Sequence, residues 1–110
     1  MISSWRLEFY SAAVAEVVEG WPIGVRAGFL RIADAMISFG PDLGLPHTRS
    51  LGQGLFEIRA KGPEGIGRAL FCLLSGKRIR ILHAYIKKSR RAPPHEVAIA
   101  RRRLHEVTRS

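Results

Sequence analysis

Two features of this chain have the residue types and spacing to do chemistry on an anion. The denser is His83-Ala84-Tyr85-Ile86-Lys87-Lys88-Ser89-Arg90-Arg91-Ala92-Pro93-Pro94, which packs four cations into five residues. The other is the pair Arg59 and Arg68, set on either side of Lys61-Gly62-Pro63-Glu64-Gly65. That segment is a turn by composition, so the two arginines stand close on neighbouring strands. Clustered guanidinium and ammonium groups can hold a phosphodiester and stabilise the charge that builds as it is attacked. A neighbouring 2′-hydroxyl would be the nucleophile, so such a site would cut RNA and spare DNA. Spacing leaves a second reading equally open, in which Arg59 simply pairs with Glu57 or Glu64 on the surface.

Other chemistries lack their residues. His47, His83, His95 and His105 have no short ligand spacing and no Asp or Cys beside them, so no metal site is expected. The nine acids are scattered, which disfavours a paired-carboxylate site. No nucleophile elbow or reactive Cys–His pattern occurs. Gly52-Gln53-Gly54 precedes a strand rather than a helix and lacks the third glycine of a phosphate-binding loop.

The elements that must position these cations follow from pattern. At 110 residues the chain is expected to be one domain, 1–110, with a core large enough to need no staples. Trp5 to Phe9 alternates as a first strand. Ser11 caps a helix carrying Val14, Val17, Val18 and Trp21, and Gly20-Trp21-Pro22 breaks it, with Pro22 opening the next helix. Val25, Phe29, Ile32, Ala33, Met36 and Ile37 form one apolar face, which Gly40-Pro41 ends. Pro41 to Gln53 reads as a loop. Leu55 to Ala60, Arg68 to Leu74 and Arg78 to Ile86 then form an antiparallel meander, with both arginines turned away from Phe56, Ile58 and Phe71. His83 and Tyr85 share one face of the third strand. A last helix begins near Pro94 with the stripe Val97, Ala100, Leu104 and Val107. The fold class is α+β: an N-terminal strand and two helices on a small antiparallel sheet, then a C-terminal helix.

Charge is segregated along the chain. The net charge is +9. Residues 1–76 balance seven basic against seven acidic side chains, while 77–110 set eleven basic ones against Glu96 and Glu106. A polyanionic or strongly acidic partner is the implied counterpart. Cys72 is alone, so no internal disulfide can form, and a buried thiol in a reducing cytoplasm is expected. The N-terminus has no signal pattern, and no apolar run nears the roughly 18 residues of a membrane span.

In order, the chain also resembles the RelE/ParE superfamily of toxins from toxin–antitoxin pairs, most closely its phage-derived HigB-like branch. The resemblance rests on Trp5-Arg6-Leu7-Glu8-Phe9-Tyr10, Leu51-Gly52-Gln53-Gly54-Leu55-Phe56-Glu57-Ile58-Arg59 and Gly67-Arg68-Ala69-Leu70-Phe71. It continues through His83-Ala84-Tyr85-Ile86-Lys87-Lys88-Ser89, then Pro93, Glu96, Ala100 and Arg103. It implies a type II toxin that cuts mRNA in the decoding site of a translating ribosome, with no metal or other cofactor. Arg59 and Arg68 match the family's strand arginines and Lys87 and Lys88 its basic pair after the last strand, which implies Arg68 and Lys88 for phosphate and transition-state charge and Arg59 and Lys87 for positioning. Tyr85 would stack on a base or orient the nucleophile. His83, Arg90, Arg91 and His95 would meet RNA, with the two histidines as candidates for proton transfer. Glu57 departs from the family, standing where a basic residue is common. The partners implied are the ribosome, mRNA and a small antitoxin, often with a helix-turn-helix, that covers the basic surface. A gyrase-binding toxin of ParE type, or a non-catalytic nucleic-acid-binding phage protein, would use the same scaffold. Under the nuclease reading, Arg68→Ala should abolish toxicity and leave the fold intact.

Overall fold

The computed structural model describes residues 4–87 and 93–109. Eight elements follow one another: β1 (Arg6–Phe9), α1 (Ala12–Glu19), α2 (Ile23–Phe39), β2 (Thr48–Gly52), β3 (Leu55–Gly62), β4 (Gly65–Leu74), β5 (Arg78–Lys87) and α3 (Pro94–Thr108). The strands form one sheet in the order β1-β5-β4-β3-β2. The class is α+β, as the patterning requires.

Helix starts and stops come from local chemistry. The Ser11 hydroxyl accepts from the Val14 amide at 3.3 Å and caps α1. Pro22 lies just outside α2 rather than in its first turn, and its carbonyl accepts from the Arg26 amide. Gly40, at φ 100°, ends α2 in a conformation that side chains rarely adopt. The apolar face of α2 buries Val25, Phe29, Ile32, Ala33 and Met36 against one face of the sheet, where Ile58, Ala69, Phe71, Ile79 and Ile81 receive them. Phe29 lies between the rings of Phe9 and Trp21. Where α2 crosses β3, a Cβ on Gly62 would stand 2.5 Å from the backbone of Gly24 and Val25, so the approach requires glycine. The other face carries a second core under α3, made by Leu55, Leu70, Cys72, Leu82, Tyr85 and Ala100 with Val97, Leu104 and Val107. The sheet is thus covered by two helices on one side and one on the other.

Two expectations need correction. The sheet is mixed rather than purely antiparallel, because β1 runs parallel to β5, with Leu7 opposite Ile79. The chain returns to that edge only after two helices and the whole meander, a long connection that permits a parallel pairing. The segment 48–52, read as loop, is the edge strand β2, with Thr48 opposite Ile58 and Ser50 opposite Phe56. Its Arg49 and Ser50 are exposed, so it shows no alternation of apolar and polar residues. Gln53 and Gly54, at φ 53° and 82°, form the two-residue turn that joins β2 to β3.

A one-residue irregularity sets the face on which His83 and Tyr85 lie. Leu70 pairs with His83 but Phe71 with Ile81, leaving Leu82 as the extra residue of a bulge. Strict alternation from Ile79 and Ile81 would carry His83 and Tyr85 onto the α1–α2 face. The bulge instead puts Ala84 on that face and Tyr85 under α3. Arg103 secures it by donating to the Leu82 carbonyl at 2.7 Å.

Candidate functional site

The bulge brings three expected site residues into one row. Arg59 of β3 is opposite Arg68 of β4, which is opposite Tyr85 of β5, so the three side chains stand side by side on the α3 face. Neighbouring strands are about 4.8 Å apart, which makes such a row contiguous. One row toward the sheet end come Lys61, Ile66 and Lys87. One row the other way come Arg49, Glu57, Leu70 and His83.

Glu57 organises this surface. Its carboxylate is fully buried, accepting from Arg68 Nη1 at 2.6 Å and from Arg49 Nε at 2.8 Å. Glu64 is taken up elsewhere, accepting from the Gly24 amide at the start of α2. The surface pairing of Arg59 with Glu57 or Glu64 therefore does not form. The Arg59 side chain has no ion-pair partner among the described residues, while its amide donates to the His47 carbonyl. Arg68 differs sharply: it is 2% exposed and committed to Glu57. Its Nε and the neighbouring Tyr85 Oη are both buried without a hydrogen-bond partner among the described residues. Two buried polar atoms on paired strands, neither with a partner among the described residues, call for a water or a ligand oxygen.

Titration follows the same crowding. Burial, then the Glu57 charge, pushes the Tyr85 phenol above its ordinary range, so at neutral pH it is a hydrogen-bond donor rather than a base. Desolvation, then Arg68 and Arg59, lowers the Lys87 ammonium below the usual lysine range. Its folded value thus lies below its unfolded one, the unfolded chain binds that proton more tightly, and the charge works against folding at neutral pH. Lys87→Met is expected to raise the melting temperature at pH 7, with the gain shrinking as pH rises toward the lysine range. Equal or lower stability at pH 7 in a thermal scan would contradict this. Cys72 is buried and its thiol is raised by desolvation, which leaves it unreactive at neutral pH.

His83 is held by a residue whose role the sequence did not reveal. Its Nε2 lies 2.6 Å from Oε1 of Glu96, in the first turn of α3. In the neutral ring, a carboxylate on Nε2 favours the tautomer that carries its proton there. His95 is exposed one residue earlier on the same helix. Lys88, Arg90 and Arg91 lie outside the described residues. Among the described residues no three of His, Cys, Asp and Glu gather as a metal would require.

Much of the C-terminal charge is structural. Arg80 and Arg78 pair with Glu8 across the β1–β5 edge. Arg101 donates to the Leu51 and Gly52 carbonyls, and Arg103 stacks over the Tyr10 ring at 4.6 Å. The run of eleven basic residues is therefore less available to a partner than its count implies.

Residues 16–105, most of the chain, match the family model described as phage derived protein Gp49-like (DUF891). The chain belongs to this family. Among solved structures it is similar to the archaeal RelE–RelB complex from Pyrococcus horikoshii, at 19% identity and a TM-score of 0.54, over 74% of this chain and 93% of that one. It is also similar to the toxin–antitoxin complex RelBE2 from Mycobacterium tuberculosis, at 15% identity and a TM-score of 0.47, over 81% and 97%. The Gp49-like chain thus has a RelE-like fold, as its ordered motifs imply. No curated protein sequence matches it. No described helix is long and apolar enough to cross a membrane.

Proposed function

We propose that this Gp49-like chain is the toxin of a type II toxin–antitoxin pair, a ribosome-dependent endoribonuclease that inhibits translation in the cytoplasm by cutting mRNA. The observation that carries the reading is the in-register row Arg59–Arg68–Tyr85 with Lys87 beside it, on one face of the sheet. Arg59 and Lys87 grip the phosphate and offset the charge that develops on its oxygens. Arg68, fixed by Glu57, offers its remaining donors from below, and the Tyr85 hydroxyl donates to the same group. His83, oriented by Glu96, takes the proton of the 2′-hydroxyl as its oxygen bonds to phosphorus. The 5′-oxygen leaves with a proton from Lys87, whose lowered value makes it a readier acid. The products are a 2′,3′-cyclic phosphate and a 5′-hydroxyl end. Lys88, Arg90 and Arg91, with His95, extend the RNA contact, and the reaction calls on no cofactor.

The antitoxin is a small protein that covers the cationic face. The RelE fold occurs in complexes with RelB, which supports a partner of that kind. Complementary charge would make the association fast.

The test is purified chain added to ribosomes programmed with a defined mRNA. Wild type should cleave it, and Glu96→Gln should slow cleavage by about 10²-fold or more, the usual scale of general acid–base catalysis. Intact mRNA with wild type sinks the nuclease. Wild-type rates in Glu96→Gln would remove the pair from the mechanism.

A further inference from the structure

A cleft of about 620 Å³ opens between α2 and the end of β3, beside the row described above and sharing Arg59 with it. Its size falls in the range of about 300–1,000 Å³ typical of small-ligand sites. Its position follows from strand lengths. β2 pairs with β3 only as far as Ile58, and beyond the Arg59 amide, which donates to the His47 carbonyl, no described strand runs along that edge of β3. One face of α2, at Gly28, Arg31 and Ala35, forms the opposite wall.

The lining has two parts. Ile32 and Ile66 contribute an apolar floor, and Arg31, Arg59, Lys61 and His47 contribute basic groups. No acid lines it among the described residues. An apolar floor beneath several cations suits a flat, weakly polar ring attached to a phosphate. Arg59 belongs both to this lining and to the row with Arg68 and Tyr85. Lys61 follows two residues on, a step of roughly 6.7 Å along a strand. The cleft therefore continues the track of cations along β3.

We propose that this cleft binds one nucleotide of the RNA strand, next to the phosphate held on the sheet, with its base on the apolar floor and its phosphate between Arg31 and Lys61. The assignment rests on the nuclease reading for the strand's direction of travel. An acidic peptide would satisfy the cations but would leave the floor and the shared Arg59 without a purpose.

The test uses the full chain and a short labelled single-stranded RNA made uncleavable by 2′-O-methyl groups. Arg31→Glu should weaken binding roughly tenfold and flatten its salt dependence. Ala35→Tyr, which fills the cleft without changing charge, should weaken it as well. Arg6→Glu makes the same charge change on β1, at the far edge of the sheet, and should have a much smaller effect. Equal losses in Arg31→Glu and Arg6→Glu, with none in Ala35→Tyr, would overturn the cleft and leave the nuclease standing. Binding that a poly-glutamate peptide displaces as well as RNA does would also overturn it. A wild-type chain that binds the RNA through Arg31 but never cuts mRNA would overturn the nuclease and keep the cleft.

Discussion

Arg68→Ala is expected to destabilise the domain strongly rather than merely silence it. The substitution removes one of two partners from a carboxylate with no exposed surface. Breaking a buried pair from one side typically costs about 3–5 kcal/mol, because the remaining charge stays in a poorly solvating interior. That is a large share of the roughly 5–15 kcal/mol that holds a domain together. The expectation that this variant would keep its fold largely intact is therefore replaced by one of marked destabilisation. Arg49 still reaches Glu57, but its side chain is 42% exposed and supplies a better solvated charge. The double change Glu57→Gln with Arg68→Met should recover most of the loss, since removing both partners leaves no orphaned ion. Chemical denaturation reads both variants. A single variant within about 1 kcal/mol of wild type, the size of an ordinary substitution, would mean that Arg68 does not anchor the sheet.

Arg59→Ala and Lys87→Met should show the reverse pattern, with the fold retained and activity lost. Neither side chain has a partner among the described residues, so nothing is orphaned when it goes. For Arg59 the change in stability should stay within about 0.5 kcal/mol. Under the proposed mechanism each meets charge that appears only as the phosphate is attacked, and removing one such donor typically costs about 10²–10³ in rate. Lys87→Met should combine lower cleavage with higher stability at neutral pH, because Arg68 and Arg59 disfavour its charge in the folded chain. A charge kept where it opposes folding is the signature of a group retained for another purpose. Cleavage by both variants at the wild-type rate would remove them from the site.

What could be read from residues alone follows a physical divide. Periodic burial was legible: Val25 to Met36 on α2 and Val97 to Val107 on α3 are the core stripes their spacing implies. Turn chemistry was legible too, since Pro63-Glu64 and Ser75-Gly76 fall between strands where composition puts them. Long-range pairing was not. Nothing local marks β1 as the parallel neighbour of β5, and β2 hides its pairing behind exposed polar residues. The site inherits this limit. The shared face of Arg59 and Arg68 follows from alternation about one turn, but the burial of Arg68 depends on what Glu57 meets. Alternation did place Glu57 on the face of Arg59, which was the available hint of a counter-ion. Its use by Arg68 and Arg49 needed β2 in place. Likewise His83 and Tyr85 share the face of Arg68 only because Leu82 is an extra residue, a detail of pairing across β4.

The most direct measurement is the chemistry of new mRNA ends made by this protein on translating ribosomes, in the wild type and in Arg59→Ala. If cations on the sheet help a ribose hydroxyl attack its own phosphate, wild type will leave discrete fragments with 5′-hydroxyl and 2′,3′-cyclic phosphate termini, and Arg59→Ala will leave almost none. Fragments bearing 5′-phosphates, or translation that stops while every message stays whole, would contradict it.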